Sequence, residues 1–248
     1  MSEKPLLEVC LSPALLHLFD TRNTIVVIID VFRATSTIAA ALHNGAQKVI
    51  PIATVEDCLS MHKRLPDCIT AGERDGKVVP GLQYGNSPLE YHPEFIQGKT
   101  LALTTTNGTK LLHMVQDAAQ IITGSFLNLN AVAEFLRKKN KKVLLACAAW
   151  KDRVNMEDTL FAGAVAHQLK DAFQLKCDSA LMAELLYRQA LSHNSLLDFM
   201  KGSSHYARLS AYGLKKDMEY CTSPNLHPVV PAYDGEALVN VATDREIS

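Results

Sequence analysis

Seven short apolar, β-branched runs alternate with helix-patterned segments through the first 150 residues, and this alternation constrains the chain more than any other feature. The runs are LLEVCL, TIVVIIDV, QKVIPIA, DCITAG, KTLALTT, AAQIITG and KKVLLACAA, each bounded by polar or glycine-containing turns. Helical patterns fall between them near 35–45, 55–64, 107–116 and 128–139. Strands that are apolar throughout, rather than alternating with polar residues, are buried on both faces. Separated by helices, they predict an α/β fold of three layers, α/β/α, built on a mostly parallel sheet.

Beyond Trp150 the texture changes. The segments MEDTLFAGAVAHQLKDAF, SALMAELLYRQAL, SLLDFMKGSSHYARLSAYG and LKKDMEYC carry helical periodicity, and only the closing HPVVPAYDGEALV is extended again. The C-terminal half is therefore expected to be the more helical one. Residues 1–248 read as a single α/β unit, with 125–150 the region where two lobes would divide, since no low-complexity linker or internal repeat forces a boundary.

A formal net charge of −1 argues against a phosphate-backbone footprint, so no nucleic-acid partner is expected and any anion site must be local. No apolar run approaches the roughly 20 residues needed to span a bilayer, and the N-terminal residues lack a signal-peptide pattern. The expectation is a cytoplasmic protein with no membrane partner. Six cysteines are scattered without C-x-x-C spacing, which suggests neither a disulfide framework nor a zinc site. The nine histidines form no H-x-H or H-E-x-x-H pattern, so they contribute little to the expected chemistry.

In a doubly wound sheet, ligands gather at the carboxyl ends of the strands. In VVIIDVFRATSTI an apolar strand delivers Asp30, and Arg33, Thr35, Ser36 and Thr37 follow at a helix start. A strand-end carboxylate, a guanidinium and hydroxyls suit a metal ion and a phosphoryl group. The competing reading is that Thr35 caps the helix and Arg33 pairs with Asp30. In LALTTTNGTKLL, Thr104, Thr105 and Thr106 precede Asn107, Gly108 and Thr109. Gly108 permits a close backbone approach, and the hydroxyls and amides can encircle an anion. An Asn-Gly turn with a threonine cap would look similar. The intervening AGERDGKVVPGLQYGNSPLEY supplies Glu73, Arg74 and Asp75 after a strand, with Asn86 and Ser87 at a turn. Asp158, in the first turn of a later helix, would complete with Asp30 and Glu73 a carboxylate set for Mg2+.

One segment points to a different enzyme. Cys147 and Arg153 are separated by five residues, the spacing of cysteine-dependent phosphatases, but the residues between them contain no glycine. A cysteine at the end of a buried strand is more often a small hydrophobe.

Taken together and in order, DVFRATSTI, GERDG, GNSPLEY, TTTNGT, NMEDTLFAGA and DMEYC resemble the 2-phosphosulfolactate phosphatase family, from about Val26 to Val239. The resemblance implies an α/β fold and Mg2+-dependent hydrolysis of (2R)-2-phospho-3-sulfolactate to 3-sulfolactate and phosphate, a step of coenzyme M biosynthesis. The expected catalytic residues are Asp30, Arg33, Glu73 and Asp158, with Asp30, Glu73 and Asp158 holding the metal. Substrate contacts are expected from Thr35, Ser36, Arg74, Asn86, Ser87, Thr105, Thr106, Asn107, Gly108, Thr109 and Arg153. The expected partner is a small anionic phosphorylated molecule, and a homo-oligomer is left open. Three other readings stand beside this one: a phosphatase for another 2-hydroxy acid phosphate, a cysteine phosphatase using Cys147, and an anion-binding protein without turnover.

Overall fold

The computed structural model describes residues 3–74, 76–105 and 108–242, apart from the side chain of His62. Its strands are β1 (Leu7–Cys10), β2 (Ile25–Ile29), β3 (Lys48–Ile52), β4 (Cys68–Arg74), β5 (Lys77–Val78), β6 (Thr100–Thr104), β7 (Gln120–Gly124), β8 (Val143–Cys147), β9 (Pro231–Tyr233) and β10 (Leu238–Asn240). The helices are α1 (Ala34–His43), α2 (Val55–Arg64), α3 (Pro93–Ile96), α4 (Gly108–Met114), α5 (Leu129–Lys139), α6 (Met156–Leu169), α7 (Asp178–Ala190), α8 (Leu196–Met200), α9 (Ser204–Ala211) and α10 (Lys215–Cys221). Every apolar run expected to be a strand is one. Helices α6 to α10 take up about half of the described residues beyond Trp150, a larger share than the helices before it, so the second half is the more helical.

The strands form one sheet in the order β1-β8-β2-β7-β9-β10-β3-β6-β4-β5. Two parallel blocks, β1-β8-β2-β7 and β3-β6-β4, account for most of the sheet. Between them sits the C-terminal hairpin β9-β10, antiparallel to β7 on one side and to β3 on the other. Three successive antiparallel pairings reverse the strand direction, so the two blocks run in opposite senses. Sequence periodicity identifies the closing segment as extended but does not reveal that it joins the two blocks.

The apolar strands are apolar because both faces are covered. Ile25, Val27 and Ile29 of β2 pack with Leu160, Phe161 and Val165 of α6. The alternate residues Val26 and Ile28 pack with Leu111 and Leu112 of α4 on the other face. The second block repeats the arrangement: Val49 and Leu101 meet Ile38 and Leu42 of α1, while Ile50 and Ala102 meet Cys58 and Met61 of α2. Helix α6 lies close against α7 because Gly163 lacks a side chain. A Cβ there would sit 2.0 Å from the Ala183 carbonyl oxygen. No helix of the described residues is long and apolar enough to cross a membrane. The six cysteines carry no disulfide, and all but Cys177 are buried.

Candidate active site

Although the two parallel blocks run in opposite senses, their carboxyl ends supply the same cleft. Asp30 follows β2, Ala149 and Trp150 follow β8, Thr105 follows β6, and Glu73 stands near the end of β4. All line a pocket of about 90 Å³, together with Arg33, Asn86, Lys151, Asn155, His205, Arg208 and Tyr212. An adjoining space of about 180 Å³ shares Arg33, Glu73 and Asn86 and reaches Ser87 and Asp217.

The β2–α1 connection fixes Asp30 through backbone geometry. Its N–H donates to Thr35 Oγ1 at 3.1 Å, and the Thr35 N–H donates to its carbonyl at 3.0 Å. Ser36 Oγ donates to the Val31 carbonyl at 2.9 Å. The Thr35 and Ser36 hydroxyls, expected to touch substrate, are thus engaged with the backbone, and neither lines the cleft. This is the ordinary competition of short hydroxyl side chains for nearby main-chain groups. Burial pushes the Asp30 carboxyl up to about 7; the His205 ring opposes that shift, while Glu73 and Glu157 add to it.

Arg33 is buried, and its Nη1 donates to Asp217 Oδ2 rather than to Asp30. Ser87 Oγ donates to the other oxygen of Asp217 at 3.0 Å. The competing pairing of Arg33 with Asp30 is not formed; the observed partner lies 184 residues from Arg33 in sequence. Asp217, on α10, takes the Nη1 of the guanidinium, and Arg33 lines the cleft.

Asp158 does not join the other two carboxylates in the cleft. Its Oδ1 accepts from the Val31 N–H at 2.9 Å, and its Oδ2 accepts from the Ala149 N–H at 3.2 Å. It ties the carboxyl ends of β2 and β8 together from the first turn of α6. Burial, then Glu157 and Asp30, push its carboxyl well above the usual range, against the pull of those two amides. The expected set of three carboxylates reduces to Asp30 and Glu73. No group of three or more His, Cys, Asp or Glu side chains suited to a metal ion occurs among the described residues.

The remaining expectations divide similarly. Thr105 and Asn86 line the cleft, and the buried Asn86 Oδ1 has no hydrogen-bond partner among the described residues. A Cβ on Gly108 would be tight against Thr105 Oγ1 at 3.3 Å and in ordinary contact with Asp30 Oδ2 at 3.5 Å, so α4 starts beside the carboxylate. Thr109 lines a second, mostly apolar space with Ile28, Ile38 and Leu103 rather than the cleft. Arg74 donates to the Glu73 carbonyl at 2.7 Å and does not reach the cleft, and Arg153 is exposed outside it. Thr106, Asn107 and Asp75 lie outside the described residues.

Lys151 is expected from the sequence as a cation for an anionic ligand, whereas Trp150, His205, Arg208 and Tyr212 line the cleft without having been singled out. The loop after β8 turns sharply through left-handed backbone at Ala149, Lys151 and Asp152, with φ of 60°, 50° and 60°. It presents Trp150 to two cations. Arg208 of α9 lies 3.6 Å from the ring centroid, and Lys151 Nζ lies 4.7 Å from it. His205, also on α9, hydrogen-bonds through Nδ1 to Glu157 of α6. Arg33, Lys151 and Arg208 thus face Asp30 and Glu73 across one small cleft.

Cys147 is inside β8, 1% exposed, and does not line the cleft. Burial, with Asp158 and other neighbours of like sign, pushes its thiol well above the ordinary value, the opposite of what a thiolate nucleophile requires. Cys147→Ala is expected to leave kcat/KM for a phosphate monoester within about threefold while costing about 1–2 kcal/mol of stability. Steady-state kinetics and a melting curve on one preparation measure both. Loss of turnover in the folded variant would restore the thiolate mechanism.

The family model described as 2-phosphosulpholactate phosphatase matches residues 10–236, a span that includes every cleft residue named above. A Thermotoga petrophila protein named probable 2-phosphosulfolactate phosphatase is 45% identical over 205 residues, covering 83% of this chain and 87% of its own length. Proteins of the same name from Caldanaerobacter subterraneus and Clostridium acetobutylicum are 38% and 37% identical, covering 86% and 88% of this chain and 88% and 93% of their own lengths.

Proposed function

The chain belongs to the 2-phosphosulpholactate phosphatase family, and we propose that it hydrolyses (2R)-2-phospho-3-sulfolactate to 3-sulfolactate and phosphate in the cleft between β2, β4, β6 and β8. The observation that carries this reading is the charge arrangement of the cleft: two carboxylates at strand ends faced by three cations. A substrate bearing phosphate, carboxylate and sulfonate needs local positive charge, because the chain as a whole supplies none. The pathway proposed for the step, coenzyme M biosynthesis, rests on the family resemblance, and a cytoplasmic setting on the sequence pattern of the chain.

The donor set suits Mg2+, which is commonly held by one or two carboxylates while keeping waters and taking oxygens from a phosphate. Asp30 and Glu73 would hold it, and the unpartnered amide oxygen of Asn86, which lines the same pocket, would add a neutral donor. When bound, the ion would neutralise phosphoryl charge and polarise the P–O bonds. The chain's own residues do the rest. Arg33, braced by Asp217, offers planar paired donors to the phosphoryl oxygens. Lys151 and Arg208, both held against the Trp150 ring, meet the substrate's other anionic groups. Water attacks phosphorus and the C2 oxygen departs.

Arg208→Ala is expected to raise KM for the sulfonated substrate roughly ten- to a hundredfold with kcat changed little, the scale of one charge-assisted contact. For 2-phospholactate, which lacks the sulfonate, the same substitution is expected to cost about threefold or less. Phosphate release from the two esters, measured side by side, tests the reading. Equal penalties on both would remove Arg208 from sulfonate recognition, and release from neither by the wild type would contradict the proposed activity.

A further inference from the structure

A buried glutamate and a buried histidine meet beside the cleft without a role in the chemistry so far described. Glu157, in the first turn of α6, is 0% exposed, and its Oε1 engages Nδ1 of His205 on α9. A carboxylate can only accept, so the ring proton on that side is Nδ1–H, and Nε2 is the nitrogen available to a ligand. His205 lines the cleft together with Asp30 and Arg33. The Phe32 ring stands edge-on to it, 6.1 Å between centroids at an interplanar angle of 68°, which limits how the imidazole can rotate. No cation among the described residues forms a salt bridge with Glu157 apart from His205 itself. A purely structural tether between α6 and α9 would not require an ionisable pair at a cleft wall.

Resting on the phosphatase reading above, we propose that His205, oriented by Glu157, is the general acid that protonates the leaving oxygen. As the P–O bond to C2 breaks, its electron pair passes to the C2 oxygen, which takes the Nε2 proton and leaves as the hydroxyl of 3-sulfolactate. The attacking water, on the opposite face of phosphorus, forms the new P–O bond and keeps one proton as P–OH on the released phosphate; its second proton passes to solvent, from which Nε2 is reprotonated once the products leave. Glu157 holds the imidazolium in register and balances its charge. The need is chemical: a secondary alkoxide is a poor leaving group, and proton donation to it is the step for which a positioned histidine contributes most.

The test compares an alkyl ester with an aryl ester, because p-nitrophenolate departs without a proton. His205→Asn, which retains a donor toward Glu157, is expected to lower kcat/KM for 2-phosphosulfolactate about a hundredfold or more and for p-nitrophenyl phosphate by about fivefold or less. Glu157→Gln is expected to shift the same ratio in the same direction by about tenfold, as a positioning residue would. The ratio of the two rates does not depend on how much of a variant folds. Equal losses on both esters, or no loss on the alkyl ester, would overturn the proposal. If neither variant folds, the wild type still decides: across monoesters whose leaving groups span several pKa units, a nearly flat dependence of rate supports proton donation, and a steep one overturns it. Wild-type enzyme that cleaves neither ester would instead overturn the phosphatase reading on which the proposal rests.

Discussion

Asp30→Asn is expected to lower kcat/KM by about a thousandfold or more while making the metal-free protein more stable. The loss of activity follows from removing one of the two cleft carboxylates that would carry the ion, an electrostatic partner of the transition state. The gain in stability follows from burial. The Asp30 carboxyl is pushed up to about 7 from an ordinary value of 3.8, so the folded state resists its ionisation. Below the ordinary value both folded and unfolded chains are protonated there, and the group has no effect. As pH rises from there toward 7 the unfolded chain gives up a proton that the folded chain keeps, and stability falls; above 7 the full penalty remains. A neutral asparagine has no such penalty. In excess chelator the melting temperature of the variant is expected to match the wild type near pH 4 and to exceed it by roughly 5–10 °C at pH 8. A variant that melts lower at pH 8, or a gap that does not grow with pH, would contradict this account of Asp30.

Arg33 carries the second large effect, and its two roles separate by choice of substitution. Its guanidinium and the Asp217 carboxylate are buried together, with side chains 5% and 10% exposed. Arg33→Met leaves the Asp217 charge with only the Ser87 hydroxyl, and breaking a buried pair in this way costs about 3–5 kcal/mol. A fall in melting temperature of roughly 10 °C or more is expected. Asp217→Asn in the same chain should recover part of that loss, because the stranded charge is gone. Arg33→Lys keeps the charge beside Asp217 and costs less stability, but an ammonium cannot reproduce planar paired donors. Its kcat/KM is expected to fall roughly ten- to a thousandfold, about 1.4–4 kcal/mol of transition-state stabilisation. Near-normal kinetics in the folded lysine variant would confine Arg33 to a structural role.

What the sequence makes legible here follows from the range of the interactions involved. The strands are readable because β2, β6 and β8 are buried on both faces, so their apolar character is local and continuous. Asp30, Glu73 and Thr105 are readable as cleft residues because a strand end in such a sheet is a position defined by its own neighbours. The hairpin β9-β10 was visible as extended chain, but its insertion between β7 and β3 depends on partners far away in sequence. The same holds for the helices α9 and α10. His205 meets Glu157 across 48 residues and Asp217 meets Arg33 across 184, and neither pairing leaves a spacing that a motif could show. Asp158 and Thr35 illustrate the converse. Both sit where a ligand contact is plausible, yet backbone amides at the ends of β2 and β8 claim their oxygens.

Phosphate release from (2R)-2-phospho-3-sulfolactate by metal-stripped protein, followed as Mg2+ is titrated back, tests the proposed chemistry most directly. No release above background in excess chelator is expected, with a saturable return as Mg2+ is added and its loss in Asp30→Asn. Full turnover in excess chelator, or no turnover at any Mg2+ concentration by the folded wild type, would contradict it.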